Sequence, residues 1–106
     1  MKEYAVYTTE NFDKELNKLE SVEKKRIQKI YSQLRLNPYV GDQLRYKFLR
    51  EKRIKEKRVY WLVFDDLSAV LFVAIGGKKT QQETIEYIIK DFELYRTYLK
   101  EKLMEY

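Results

Sequence analysis

"LREKRIKEKRVYWLVFDDLSAVLFVAI", Leu49 to Ile75, decides the fold. It contains two β-branched and aromatic runs of strand length, "VYWLVF" (Val59 to Phe64) and "AVLFVAI" (Ala69 to Ile75), separated by the polar turn "DDLS". Two such runs around a turn predict a hairpin. Their apolar residues continue with hardly any alternation, which predicts central strands covered on much of both faces. The basic stretch from Leu49 pairs with them as another strand, bending near Lys55 and Glu56 into the strand that starts at Arg58. No Gly marks that bend, so its turn type stays open.

Upstream, "YAVYT" (Tyr4 to Thr8) reads as a first strand. Thr9 can cap a helix over Glu10 to about Leu19, with Phe12, Leu16 and Leu19 on one face. Ser21 can cap a second helix to about Leu36, with Ile27, Ile30, Tyr31 and Leu34 repeating the spacing. Asn37 and Pro38 end it, and Gly41 marks a loop. Two antiparallel helices with a tight connection result. Downstream of "GGKKT", Thr80 can cap a third helix to roughly Lys102, with Ile85, Ile88, Ile89, Phe92, Tyr95 and Leu99 at spacings of three or four. The predicted order is β-α-α-β-β-β-α. This is a single α+β domain over 1–106, with a small, antiparallel-rich sheet, an N-terminal helical hairpin and a C-terminal helix.

Composition limits the chemistry. The chain has no Cys and no His, which removes thiolate nucleophiles, Cys-ligated metals and the usual general base near neutral pH. Catalysis would fall to Lys, Arg, Tyr, Glu or Asp. No run of about eighteen apolar residues exists, and the N-terminus lacks a signal-peptide pattern. The expectation is a soluble cytoplasmic protein with no membrane partner and no cofactor.

The positive charge is localised. Arg45 to Arg58 carries eight basic residues against Glu51 and Glu56, a local net of +6, while the whole chain sums to +5. A basic excess confined to one segment of a nearly neutral protein points to a polyanion site, although charge runs also decorate ordinary solvated surfaces.

The order of elements, the basic strand leading into "KRVYWLVFDD", the apolar strand ending in "AIGGKKT" and the loop "NPYVGDQL" together resemble the RelE/ParE toxin superfamily of toxin–antitoxin systems. "GKKTQQET" is similar to its HigB-like branch. The most specific piece is Arg58-Val59-Tyr60, similar to the family's Arg-Val-hydrophobic-Tyr strand start. The resemblance covers roughly Tyr4 to Tyr87. It implies a type II toxin of RelE-like fold that cuts mRNA in the ribosomal A site and is silenced by a cognate antitoxin, so that the expected partners are the antitoxin, the ribosome and mRNA.

RNA is cleaved without metal when its 2′-hydroxyl attacks the adjacent phosphorus, given a proton acceptor, a stabiliser of negative charge and a proton donor. By the resemblance, Arg58 matches the family's essential Arg, and its planar fork suits phosphate oxygens. Strand alternation puts Arg50 and Lys52 on one face, and Glu51 and Arg53 on the other. Lys52 beside Arg50 resembles the paired basic residues of RelE, with Lys52 as base. Glu51 beside Arg53 resembles members with a carboxylate base. The first pair is preferred, and Lys47, Lys55 and Lys57 would grip RNA backbone. Lys78 and Lys79 lie where RelE-like enzymes place a further basic group, and Tyr87 stands where the family has a C-terminal Tyr, although packing also accounts for it. Asp65 and Asp66 have no third ligand at useful spacing, so no metal site is expected. The competing functions are a ParE-like gyrase inhibitor and a nucleic-acid-binding module, or degenerate toxin, that does not cut.

Overall fold

The computed structural model describes residues 2–105. In chain order it contains β1 (Ala5–Thr8), α1 (Glu10–Asn17), α2 (Ser21–Leu36), β2 (Asp42–Gln43), β3 (Leu49–Ile54), β4 (Lys57–Phe64), β5 (Ala69–Gly77), α3 (Gln81–Lys90) and α4 (Phe92–Leu103), with short 3₁₀ turns at Asp65–Leu67 and Lys78–Thr80. The sheet order is β1-β5-β4-β3-β2. β1 runs parallel to β5, and all other pairs are antiparallel. The architecture is the expected α+β one.

β4 and β5 are central and buried on both faces, as their unbroken apolar runs require. On one face Val59, Trp61, Val63, Val70 and Phe72 meet Phe12 of α1 and Ile27, Ile30 and Leu34 of α2. On the other, Tyr60, Leu62, Phe64, Leu71 and Val73 meet Ile85 and Ile88 of α3 and Leu99 of α4. A bulge lies opposite the Tyr60/Trp61 step, because Tyr60 pairs with Ala74 and Trp61 with Phe72, leaving Val73 unmatched.

Three local details differ from the sequence reading. α2 is capped by Glu20 rather than Ser21, through a reciprocal capping box in which the buried Glu23 accepts from the Glu20 backbone N–H at 3.1 Å. A short β2 forms where only a loop was expected. It depends on Gly41 at φ +82, where a Cβ would sit 2.5 Å from the Glu51 carbonyl oxygen and 2.8 Å from the Trp61 ring, a position only glycine occupies without strain. The C-terminal helix is divided at Asp91. A straight helix from Gln81 to Leu103 would be about 34 Å long, matching the molecule's longest extent of 33 Å, and the division keeps Ile88 and Leu99 buried on the same sheet face.

The β3–β4 turn is the element that positions the site. Ile54 pairs with Lys57, so the loop consists of Lys55 and Glu56 alone. Lys55 takes the left-handed conformation, φ +54, that a glycine would otherwise supply. On the loop side, Trp61 Nε1 donates to the Pro38 carbonyl at 3.0 Å.

Candidate nucleic-acid interface

The two-residue turn fixes the register of β3 on β4: Glu51 faces Tyr60, Lys52 faces Val59, and Arg53 faces Arg58. Residues directly opposite in an antiparallel pair project to the same face. Glu51 and Arg53 therefore share the α3 side of the sheet with Tyr60 and Arg58, while Arg50 and Lys52 lie on the side of α1 and α2. The pair preferred from sequence is thus on the opposite face from Arg58. The physical reason is register, which alternation alone does not supply.

Arg50 is occupied with the fold. Its Nη2 donates to the Tyr39 carbonyl at 2.6 Å and the Gly41 carbonyl at 3.0 Å, and its Nη1 to the Lys47 carbonyl at 3.3 Å. It clasps the loop after α2. Lys52 lines a hollow against α2 with Arg26 and Lys29. Lys47 sits 4.8 Å from the centre of the Tyr39 ring.

On the α3 side, an open basin of about 430 Å³ is lined by Arg53, Glu56, Arg58, Gly77, Lys78, Lys79 and Thr80. Four cations and one carboxylate surround it. Arg53 and Arg58 stand directly opposite each other, an arrangement of like charges that disfavours the sheet by roughly 0.2–1 kcal/mol unless an anion lies between them. Arg53 donates from Nε to the Lys55 carbonyl at 2.9 Å. Lys55, in the turn, and Lys57, which pairs with Gly77 on the neighbouring strand, are not among the residues that line the basin.

Beneath the basin lies a buried ionic chain. Arg58 Nη1 donates to one carboxylate oxygen of Glu51 at 2.6 Å, and the other oxygen accepts from Gln81 Nε2 at 2.6 Å. Glu51 is 2% exposed. A carboxylate this deep is tolerable only when paired and hydrogen-bonded, and both conditions are met. Among the described residues the Arg58 side chain has no other protein acceptor, and it lines the basin. Next to this chain the fully buried Tyr60 carries a hydroxyl with no partner among the described residues. Burial, and then the negative charge of Glu51, push that hydroxyl from its ordinary value of 10 up to about 12, with Arg58 opposing.

Tyr87 is half-exposed on α3 and does not line the basin; its hydroxyl is raised by burial first and by Asp91 and Glu15 next. The carboxylates of "FDD" are engaged elsewhere. Asp65 accepts from Tyr4 at 2.8 Å and Tyr39 at 2.6 Å, and Asp66 pairs with Arg96, whose hydrogen bond holds its carboxyl below the usual range. Among the described residues no three carboxylates are grouped to hold a metal ion, and no helix is long and apolar enough to cross a membrane. Sequence reasoning missed Gln81, Tyr60 and Glu56. For Gln81 the one available signal was its place immediately after "GGKKT".

No protein-family profile and no curated protein sequence matches this chain. Solved structures do. A free-state E. coli toxin RelE carrying two arginine-to-alanine changes superposes with a TM-score of 0.67 at 19% identity, covering 81% of this chain and 98% of its own. The archaeal RelE–RelB complex from Pyrococcus horikoshii gives 0.60 at 18% identity over 71% and 94%. The Mycobacterium tuberculosis toxin–antitoxin complex RelBE2 gives 0.61 at 20% identity over 72% and 99%. The chain has a RelE-like fold.

Proposed function

We propose that this RelE-like chain is the toxin of a type II toxin–antitoxin system, acting as a ribosome-dependent mRNA endonuclease. The observation that carries the reading is the opposed pair Arg53 and Arg58 facing Lys78 and Lys79 across one basin. Such a concentration of cations on rigid strands suits a phosphodiester whose charge grows during reaction. Arg58 is the phosphate clamp, held from below by Glu51 so that its free donors point outward.

Cleavage proceeds by attack of the ribose 2′-oxygen on phosphorus. The P–O5′ bond breaks, leaving a 2′,3′-cyclic phosphate and a 5′-hydroxyl, and no metal is needed. The proton from the 2′-hydroxyl goes to a basin carboxylate, and Glu56 is the one among the lining residues. Lys78 or Lys79 protonates the leaving 5′-oxygen. Glu51 is a poor acceptor here because it is buried and both its oxygens already receive hydrogen bonds. The partners are the ribosome, mRNA and a cognate antitoxin protein; the solved complexes of similar fold support the last of these.

The buried Arg58–Glu51 pair also favours a second reading. Part of the clamp's charge is neutralised internally, which suits a module that holds RNA without cutting it. Purified ribosomes programmed with mRNA separate the two. A-site cuts that disappear with the Arg58→Lys variant support the nuclease; intact mRNA with salt-sensitive binding supports the module.

A further inference from the structure

A second basic hollow lies on the other side of β3. It encloses about 230 Å³ between α2 and β3 and is lined by Arg26, Lys29, Gln33, Lys52 and Arg53 with Ile30 and Ile54. Among the described residues no carboxylate lines it. Arg53 belongs to both hollows and forms the wall between them. None of Arg26, Lys29, Lys52 and Arg53 pairs with a carboxylate among the described residues.

Resting on the RNA reading above, we infer that this α2–β3 hollow is a second phosphate subsite, which holds the backbone of the nucleotides flanking the one clamped at Arg58. The strand would cross the sheet edge over Arg53. That edge is free for it, because β2 pairs only with Arg50 and Glu51 and leaves Lys52 to Ile54 without a strand partner on that side. Lysines on an open edge commonly serve only to block strand addition. Edge protection accounts for Lys52 and Arg53. It does not account for Arg26 and Lys29, which sit on a helix, three residues apart on one face, where like charges disfavour the helix. Their convergence with Lys52 on one carboxylate-free hollow is explained by an anion that offsets the repulsion.

The test uses binding alone. A single-stranded all-deoxy octanucleotide, which lacks the attacking 2′-hydroxyl, is titrated by fluorescence anisotropy over a range of salt concentrations against the wild type, Arg26→Gln/Lys29→Gln and Lys14→Gln/Lys90→Gln. The last pair removes the same charge from exposed positions on α1 and α3 that line neither hollow. Glutamine keeps helix propensity, and thermal melts confirm that each variant folds. Loss of two phosphate contacts should lower the slope of log affinity against log salt by about 1.4, at about 0.7 per contact for a single strand, in the α2 variant only. An unchanged slope, or an equal change in both variants, overturns the subsite and leaves the charges as edge protection or general field. Cleavage by the wild type on ribosomes is scored separately. If no cutting occurs but the slope still falls, the nuclease reading fails and the subsite stands.

Discussion

Arg58 and Glu51 form a buried ion pair, Nη1 to carboxylate oxygen at 2.6 Å, with the two side chains 17% and 3% exposed. This makes the obvious catalytic test also a folding test. Removing the guanidinium strands a carboxylate in the interior, which costs roughly 3 kcal/mol. Arg58→Ala should therefore show a markedly lower urea midpoint than wild type. Glu51→Gln/Arg58→Ala should recover much of that loss while staying inactive. If Arg58→Ala proves as stable as wild type, the pair is not formed in solution.

Gln81 completes the other half of the Glu51 carboxylate. Gln81→Ala should cost about 1 kcal/mol in stability and lower single-turnover cleavage about tenfold, because Arg58 loses its fixed orientation. Affinity for the uncleavable oligonucleotide should change much less. Equal falls in rate and affinity would mean that Gln81 contacts RNA directly and does not act through Glu51.

In β3 the residue pattern specifies the two faces but not which of them meets Arg58. The hairpin of β4 and β5 was legible because a fully buried strand has to be apolar on both faces, and "VYWLVF" and "AVLFVAI" are. Alternation correctly divided Arg50 and Lys52 from Glu51 and Arg53. Choosing between the divisions needed the turn, since only a loop of two residues, Lys55 and Glu56, sets Arg53 opposite Arg58. A non-glycine residue at φ +54 gave no local signal for that loop. Gln81, β2 and the division at Asp91 are products of tertiary contact: each depends on a partner distant in sequence, such as Glu51 for Gln81.

Tyr60 offers a test of opposite sign. Its buried hydroxyl lacks a partner among the described residues, so Tyr60→Phe should be neutral or stabilising by up to about 1 kcal/mol. A second signature appears in alkali. The folded protein holds the Tyr60 proton up to about pH 12, against 10 for an ordinary tyrosine. The folded state therefore binds more protons in that window, and Tyr60's contribution to stability is complete below pH 10 and is lost as pH rises toward 12. Denaturant midpoints between pH 9 and 12, a range that brackets this titration, should fall less steeply for the Phe variant than for wild type. A fall as steep in the Phe variant as in wild type would mean that the hydroxyl titrates no higher in the folded than in the unfolded chain, and a destabilised Phe variant would mean that the hydroxyl has an acceptor in solution.

The two faces of β3 can be separated by a pair of substitutions. Arg50 satisfies the carbonyls of Tyr39, Gly41 and Lys47. Arg50→Ala should thus lose about 1–3 kcal/mol of stability by leaving loop acceptors unpaired, with little effect on the salt dependence of RNA binding. Arg53 is exposed and makes one hydrogen bond, to the Lys55 carbonyl within its own turn. Arg53→Ala should barely alter the melting temperature. It should lower the salt slope by about 0.7, the value of one single-strand phosphate contact. The reverse pattern, with Arg50 controlling the slope and Arg53 the stability, would move the cleaved phosphate to the α1 and α2 face and restore Lys52 as Arg50's catalytic partner.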